Sequence, residues 1–405
     1  MVGAPDMPSI YNKQYLMTAG PTPLPPAVSQ VMAEPIVYHR APAFVEIYAR
    51  VLERLRMVFQ TQNEVLTFAA SGTGALESAV ANLIAPGDVA VVASCGKFGQ
   101  RWAELCDAYG AETVHLEFEW GEKVDPAQVE RALAGRDGTV KALFTTQSET
   151  STGVLNDVRA LAEIAAEHGA VSVFDAVSGL GVVDLPTDEW GVDVVVSGSQ
   201  KALMSPPGLA FAAVSDRALE VAADARQRGA RNYYFDWAKT LEGQRKDPPD
   251  SPFTPAVTLI RALDVALGMI EEETLPGVFE RHAVLGHAAR EAVKGMGLDL
   301  FGPEDENANV VTVARTPDGI DGAAIPKTMR DRYGITIAGG QGHLKGKIVR
   351  IAHCGYYGAF DVLTSIAGLE LTLDELGFDV AFGAGSSRAQ HVFAQSGISA
   401  AQPVA

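Results

Sequence analysis

Cysteine is scarce: only Cys95, Cys106 and Cys354 occur in 405 residues. An odd, small set in a chain this long argues against a disulfide framework and predicts a reducing compartment, so the expected location is cytoplasmic. Positive charge is also short, with 32 Lys and Arg against 50 Asp and Glu and a formal net charge of -18. Such a chain repels a phosphate backbone, and no basic stripe offsets this locally, so nucleic acid is not an expected partner. Long apolar runs are missing too. No stretch nears the ~20 residues of a membrane span, and the first residues lack a basic segment followed by an apolar one. Neither membrane insertion nor secretion is expected. What remains is ordinary globular usage, 47% hydrophobic and 20% charged, in a chain long enough for about two to three domains.

Between residues 64 and 214, short β-rich runs (65–70, 89–94, 141–146, 171–175) alternate with helical patterns (74–84, 99–110, 157–169). That alternation predicts βαβ units and a mainly parallel sheet covered on both faces. Punctuation agrees: Pro86-Gly87 stops one helix, Asp125-Pro126 pairs an N-cap with an N1 proline, and Gly169 follows the last turn at His168. Past Thr254-Pro255 the pattern changes to two long helices, 257–273 and 277–295. Strand candidates at 310–313 and 348–351 follow, interleaved with helices near 321–332 and 360–376. The expected division is an N-terminal segment (1–25) packing with the smaller domain, a large α/β domain (26–260), a small α+β C-terminal domain (261–380) and a flexible tail (381–405) without apolar periodicity.

Three loops carry the groups that could do chemistry. Ser71-Gly72-Thr73-Gly74 follows a strand and opens a helix, where free backbone N–H groups and the positive helix end can hold a phosphate. It lacks both the third glycine of the dinucleotide fingerprint and a P-loop lysine, and alone it fits a plain strand-to-helix turn equally well. Asp175 ends an apolar run, which places a carboxylate at the carboxyl edge of a parallel strand, where open α/β sheets bind ligands. A lone aspartate there is more often a cap. Lys201 follows another apolar run, 192–196, through Ser197-Gly198-Ser199-Gln200. A lysine among small residues at a strand end can be partly desolvated and become nucleophilic, although most lysines are plain surface residues. His353 and Cys354 show no metal-ligand spacing, and no metal is expected.

A phosphate cradle, a carboxylate for a pyridinium nitrogen and an amine for an aldehyde are together what pyridoxal phosphate requires. The segments carrying them are 18–23, 70–77, Glu149-Thr150-Ser151-Thr152-Gly153, Asp175-Ala176-Val177-Ser178, 199–203, Pro206-Pro207-Gly208-Leu209 and Val349-Arg350-Ile351. In this order they resemble the class V aminotransferases of fold type I, specifically the alanine–glyoxylate and serine–glyoxylate group, over roughly residues 15–378.

That resemblance implies a large domain with a mainly parallel, seven-stranded-type sheet plus a smaller α+β domain. It implies that Lys201 holds the cofactor through its amine and moves the substrate α-proton, while Asp175 keeps the ring nitrogen protonated. Ser71, Gly72, Thr73 and Gln200 would hold the phosphate, Thr150 would lie near O3′, and Val177 and Phe98 would cover the ring faces. Arg350 would clamp the substrate α-carboxylate as a bidentate fork, with Gly20 and Tyr38 beside the substrate. The active site would lie at a homodimer interface, with Thr254 reaching the partner's phosphate site. No second arginine for a side-chain carboxylate stands out, which favours small neutral donors such as serine or alanine, although Arg40 and Arg231 leave aspartate open. Glyoxylate or pyruvate is the expected 2-oxo acid. Pyridoxamine–pyruvate or ureidoglycine–glyoxylate specificity, a pyridoxal-phosphate lyase or cysteine desulfurase, and a non-catalytic role are the alternatives.

Overall fold

The computed structural model describes residues 13–136, 139–305 and 308–397. Its largest layer is a seven-stranded sheet of β1 (Glu64–Phe68), β2 (Val89–Ser94), β3 (Glu112–Glu117), β4 (Val140–Thr146), β5 (Val171–Asp175), β6 (Val194–Gly198) and β7 (Ala210–Val214). The spatial order is β1-β7-β6-β5-β4-β2-β3. Neighbours from β6 to β3 run parallel, and β7 runs antiparallel to both β6 and β1. Every residue of β5, β6 and β7 is buried, as expected of strands covered on both faces. The two faces alternate with period two: Phe174 and Val195 meet one core, Val171, Val173, Val194 and Val196 the other.

The helices of this layer are α1 (Pro26–Met32), α2 (Pro42–Phe59), α3 (Gly72–Leu83), α4 (Lys97–Ala108), α5 (Pro126–Ala134), α6 (Val158–Glu167), α7 (Asp216–Arg228), α8 (Trp237–Gln244) and α9 (Val257–Glu273). Leu55 and Phe59 of α2, Leu161 of α6 and Leu263 of α9 close one face; Leu76 of α3, Trp102 of α4 and Trp237 of α8 close the other. Two strands escaped the sequence pattern. β3 is an edge strand that is nowhere fully buried, so it needs no continuous apolar run. The antiparallel β7 is alanine-rich, and alanine carries little strand preference.

A second, three-stranded antiparallel sheet has the order β8-β10-β9, from β8 (Val311–Arg315), β9 (Ala338–Gly339) and β10 (Ile348–Ala352). It packs with α10 (Leu275–Gly295), α11 (Ala324–Tyr333) and α12 (Ala359–Glu375) around its own core, which also takes Met17 and Ala19. Tyr15–Leu16 pairs in parallel with Ile335–Thr336, just before β9, as a separate two-stranded sheet, so the start of the described chain is tied to this part of the fold. Among the described residues no helix is long and apolar enough to cross a membrane.

The expectation of a flexible tail over 381–405 is corrected for its first part: Ala384–Ser396 forms a helix, α13, packed on α10. Its buried residues are small, Gly385 and Ala389, with Gly385 close against Ala292, and Gly295 of α10 close against Ala384, so no large apolar periodicity announces it. The Glu370 carboxylate supplies its N-terminal cap, accepting from Gly383 N at 3.1 Å and Gly385 N at 2.8 Å. Residues 398–405 lie outside the described residues. A Cβ at position 385 would sit 2.7 Å from Met296 Cγ and 2.9 Å from the Ala292 carbonyl oxygen. Gly385→Val is therefore expected to destabilise the protein by about 1–3 kcal/mol through overpacking, read from the urea midpoint; an unchanged midpoint would show that α13 is not docked.

Candidate active site

β6 ends at Gly198, and the chain turns through Ser199 and Gln200 to Lys201. Ser199 clasps the turn: its Oγ donates to the Pro206 carbonyl at 2.5 Å and accepts from Leu209 N at 3.2 Å. Lys201 is 9% exposed and its Nζ donates to the Ala19 carbonyl. The segment after Ala19 crosses directly over it. Gly20 has φ +139°, and a Cβ there would lie 2.3 Å from Lys201 Cε, so both the backbone conformation and the close approach require glycine. Thr22 Oγ1 donates to the Lys201 carbonyl at 3.0 Å, and Thr22 N donates to the Gln200 carbonyl at 3.1 Å. Burial holds the Lys201 amine below its ordinary pKa.

Asp175 closes β5 at the same sheet edge. Its Oδ1 accepts from Val177 N at 2.8 Å, and no cation forms a salt bridge with it among the described residues. Burial pushes its carboxyl pKa up to about 6, with the nearby Glu149 adding to the shift. A desolvated carboxylate with only one hydrogen bond is suited to meeting a ring N–H⁺.

α3 opens beside these two residues. Ser71 occupies its N-cap position without a side-chain cap hydrogen bond, and while Gly74 N donates to the Ser71 carbonyl at 2.8 Å, the Gly72 and Thr73 N–H groups have no acceptor among the described residues and are left for another. A Cβ on Gly72 would sit 2.9 Å from Val177 Cγ2, and one on Gly198 would sit 3.3 Å from Gly72 Cα. The Gln200 amide lies at this helix end, its buried oxygen without a hydrogen-bond partner. Arg101, which the sequence alone did not single out, donates from Nη1 to Thr73 Oγ1 at 3.1 Å and lies over the Phe98 ring at 5.3 Å. Phe98 and Arg101 stand three positions apart on α4, one turn of the same face.

Arg350 reaches the site from the middle of β10. It is 7% exposed and has no carboxylate partner among the described residues. Its Nε donates to the Gly339 carbonyl at 2.9 Å and its Nη1 to the Thr150 carbonyl at 3.0 Å, leaving Nη2 uncommitted. Thr150 Oγ1 in turn lies 2.5 Å from Ser178 Oγ. Ser71, Gly72, Thr73, Phe98, Thr150, Asp175, Val177, Gln200, Lys201, Gly20 and Arg350 thus gather at one edge of the large sheet. Tyr38 and Thr254 do not join them in the single chain. Tyr38 is 61% exposed and hydrogen-bonded by Arg40, and Thr254 is exposed beside Ala69 and Tyr234.

The aminotransferase class-V family model matches residues 14–354. This chain belongs to the class V aminotransferases. It is 42% identical to the soluble hydrogenase small subunit of Synechococcus sp., over 94% of this chain and 98% of the relative. It is 36% identical to the serine–glyoxylate aminotransferase of Methylorubrum extorquens, over 93% and 95%. Among solved structures, ureidoglycine–glyoxylate aminotransferase from Bacillus subtilis superposes with a TM-score of 0.89 at 33% identity, covering 94% of this chain and 98% of that one. The fold is therefore that of a fold type I pyridoxal-phosphate-dependent aminotransferase.

The residues present fit that cofactor. The uncapped start of α3 suits a phosphate, the buried Asp175 suits a protonated ring nitrogen, and glycine at position 20 lets the Lys201 side chain pass where a Cβ would stand.

A pH test follows from Asp175. Its folded, cofactor-free pKa of about 6 lies above the ordinary 3.8. The stability tied to its protonation is full below about pH 4 and lost as pH rises through about 6. Asp175→Asn should abolish this dependence and stabilise the cofactor-free protein at pH 7 by as much as about 3 kcal/mol, while weakening pyridoxal phosphate binding. Urea denaturation at pH 4 and pH 7 with a cofactor titration reads both; an equal or lower stability of the variant at pH 7 contradicts the assignment.

Proposed function

We propose that this aminotransferase moves an amino group from a small neutral amino acid, serine or alanine by preference, to glyoxylate or pyruvate. The observation that carries the reading is Arg350: a buried guanidinium with no counter-ion, one nitrogen uncommitted, at the same sheet edge as Lys201 and Asp175. Such a cation calls for a carboxylate. The two other candidate arginines support a donor with a single carboxylate. Arg40 is exposed and holds Tyr38, and Arg231 is exposed and donates to the Arg226 and Ala230 carbonyls. Relatives named for serine and for ureidoglycine as partners of glyoxylate agree with a small donor and with glyoxylate as acceptor.

When bound, pyridoxal phosphate supplies the carbonyl that takes the amino group and the ring that accepts the carbanion's electrons. The chain does the rest. Arg350 holds the α-carboxylate and so fixes which bond at the α-carbon faces Lys201. Lys201 would take the α-proton from the substrate and return it, a base role that its burial-lowered amine pKa favours. Asp175 would keep the ring nitrogen protonated. Ser71, Gly72, Thr73 and Gln200 would hold the phosphate, Thr150 would lie by the ring hydroxyl, and Phe98 and Val177 would cover the ring and exclude water. Gly20 leaves room for the lysine side chain itself.

Tyr38 and Thr254, exposed in the single chain, complete the neighbouring site in a homodimer, and the three free cysteines suit the cytoplasm. A desulfurase requires a mobile, reactive thiol. Here Cys95 and Cys354 are buried, which pushes their thiols up to about 12 and about 11.

A half-reaction screen tests the proposal: cofactor-loaded protein, one amino acid at a time and no acceptor, following loss of the lysine-bound cofactor's absorption and release of 2-oxo acid. Serine or alanine should bleach it, and glyoxylate or pyruvate should restore it. Lys201→Ala should remove the response, and Arg350→Lys should raise the donor KM roughly 10–100-fold. Aspartate as the fastest donor would overturn the specificity; no response to any amino acid would overturn transamination.

A further inference from the structure

Glu149 is completely buried, yet it forms no salt bridge among the described residues. Its carboxylate instead collects four donors. Oε2 accepts from Phe98 N at 3.0 Å and Gly99 N at 2.9 Å, and Oε1 accepts from Ser151 N at 3.1 Å and Ser151 Oγ at 2.6 Å. The first two donors are second and third in α4, a helix whose N-cap residue, Gly96, offers no side chain. A carboxylate 50 residues downstream in the sequence thus occupies the place of a local cap, with the sign the helix N-terminus favours. Gly96 is what permits it, because a Cβ there would lie 2.4 Å from Glu149 Cγ and 2.5 Å from Ser151 Oγ.

The turn held in this way carries Phe98 and Arg101, the ring and the guanidinium that lies over it and donates to Thr73 Oγ1. We propose that Glu149 is a positioning residue of this site: its carboxylate replaces the missing cap of α4 and so sets where Phe98 and Arg101 meet the cofactor. This rests on the cofactor-binding reading above. The charge has a second effect, because three of the groups around it are the working groups of the site, Asp175, Lys201 and Arg350. Cys95 at the end of β2, Asp175 of β5, Lys201 after β6 and Arg350 of β10 all feel Glu149, which raises the proton affinity of each. Burial raises its own pKa, and the Ser151, Gly99 and Phe98 donors oppose that rise.

Glu149→Ala and Glu149→Gln separate the two effects. Glutamine keeps an oxygen for the Phe98 and Gly99 N–H groups but no charge; alanine keeps neither. Pyridoxal phosphate titrated into cofactor-free protein, followed by protein fluorescence, should show a Kd raised at least ~10-fold in Glu149→Ala and substantially rescued in Glu149→Gln. In Glu149→Gln the pH midpoint of the lysine-bound cofactor's absorption should move down by roughly half a unit or more, since a negative charge near the Lys201 amine is gone. If Glu149→Ala does not fold, the Glu149→Gln midpoint decides. A wild-type midpoint in Glu149→Gln, or a wild-type Kd in Glu149→Ala, overturns the proposal. Failure of the wild-type protein to bleach with any donor sinks the transamination reading instead and leaves the Kd comparison intact.

Discussion

Two carboxylates, one ammonium and one guanidinium lie buried at the carboxyl edge of a single sheet: Asp175, Glu149, Lys201 and Arg350. Removing ions from water is costly unless hydrogen bonds or opposite charges replace the lost solvation. Among the described residues none of the four is neutralised by a direct salt bridge; each instead leans on backbone groups, Asp175 on Val177 N, Glu149 on three backbone N–H groups, Lys201 on Ala19 and Arg350 on Gly339 and Thr150. Incomplete solvation of this kind is what makes the groups useful, since a charged cofactor and a carboxylate substrate can supply the missing partners.

Holding such groups in place demands backbone precision, and the surrounding sequence reflects it. Glycine at positions 20, 72 and 96 lets three segments approach Lys201, Val177 and Glu149 more closely than any Cβ would permit. Arg350 belongs to the second sheet yet donates to Thr150 at the edge of the first. The Ala19 carbonyl that meets Lys201 follows the Tyr15–Leu16 strand paired with Ile335–Thr336. Both links run between the small core and the large one, so the geometry at Lys201 depends on how the two halves of the chain dock.

Much of this was legible because strongly periodic elements announce themselves. The apolar runs before Asp175 and Lys201 are buried strands, and the helices near 257–273 and 360–376 fall where their spacing predicts. Ser71-Gly72-Thr73 was recognisable as a helix-opening turn. Elements held by other means were not legible. β3 gains its place at a sheet edge, β7 through alanine, and α13 through its small buried residues, Gly385 and Ala389.

The sequence by itself determined which residues could do chemistry and the order of strands and helices that brings them to one edge, because local periodicity and turn residues act over a few positions. Only the tertiary structure decided the burial of each charge, the long-range cap that Glu149 places on α4, the pairing of Arg101 with Thr73 and the docking of Arg350 beside Thr150. Those depend on contacts between segments 28 to 200 positions apart, and desolvation at a point in space is a property of everything packed around it rather than of any stretch of chain.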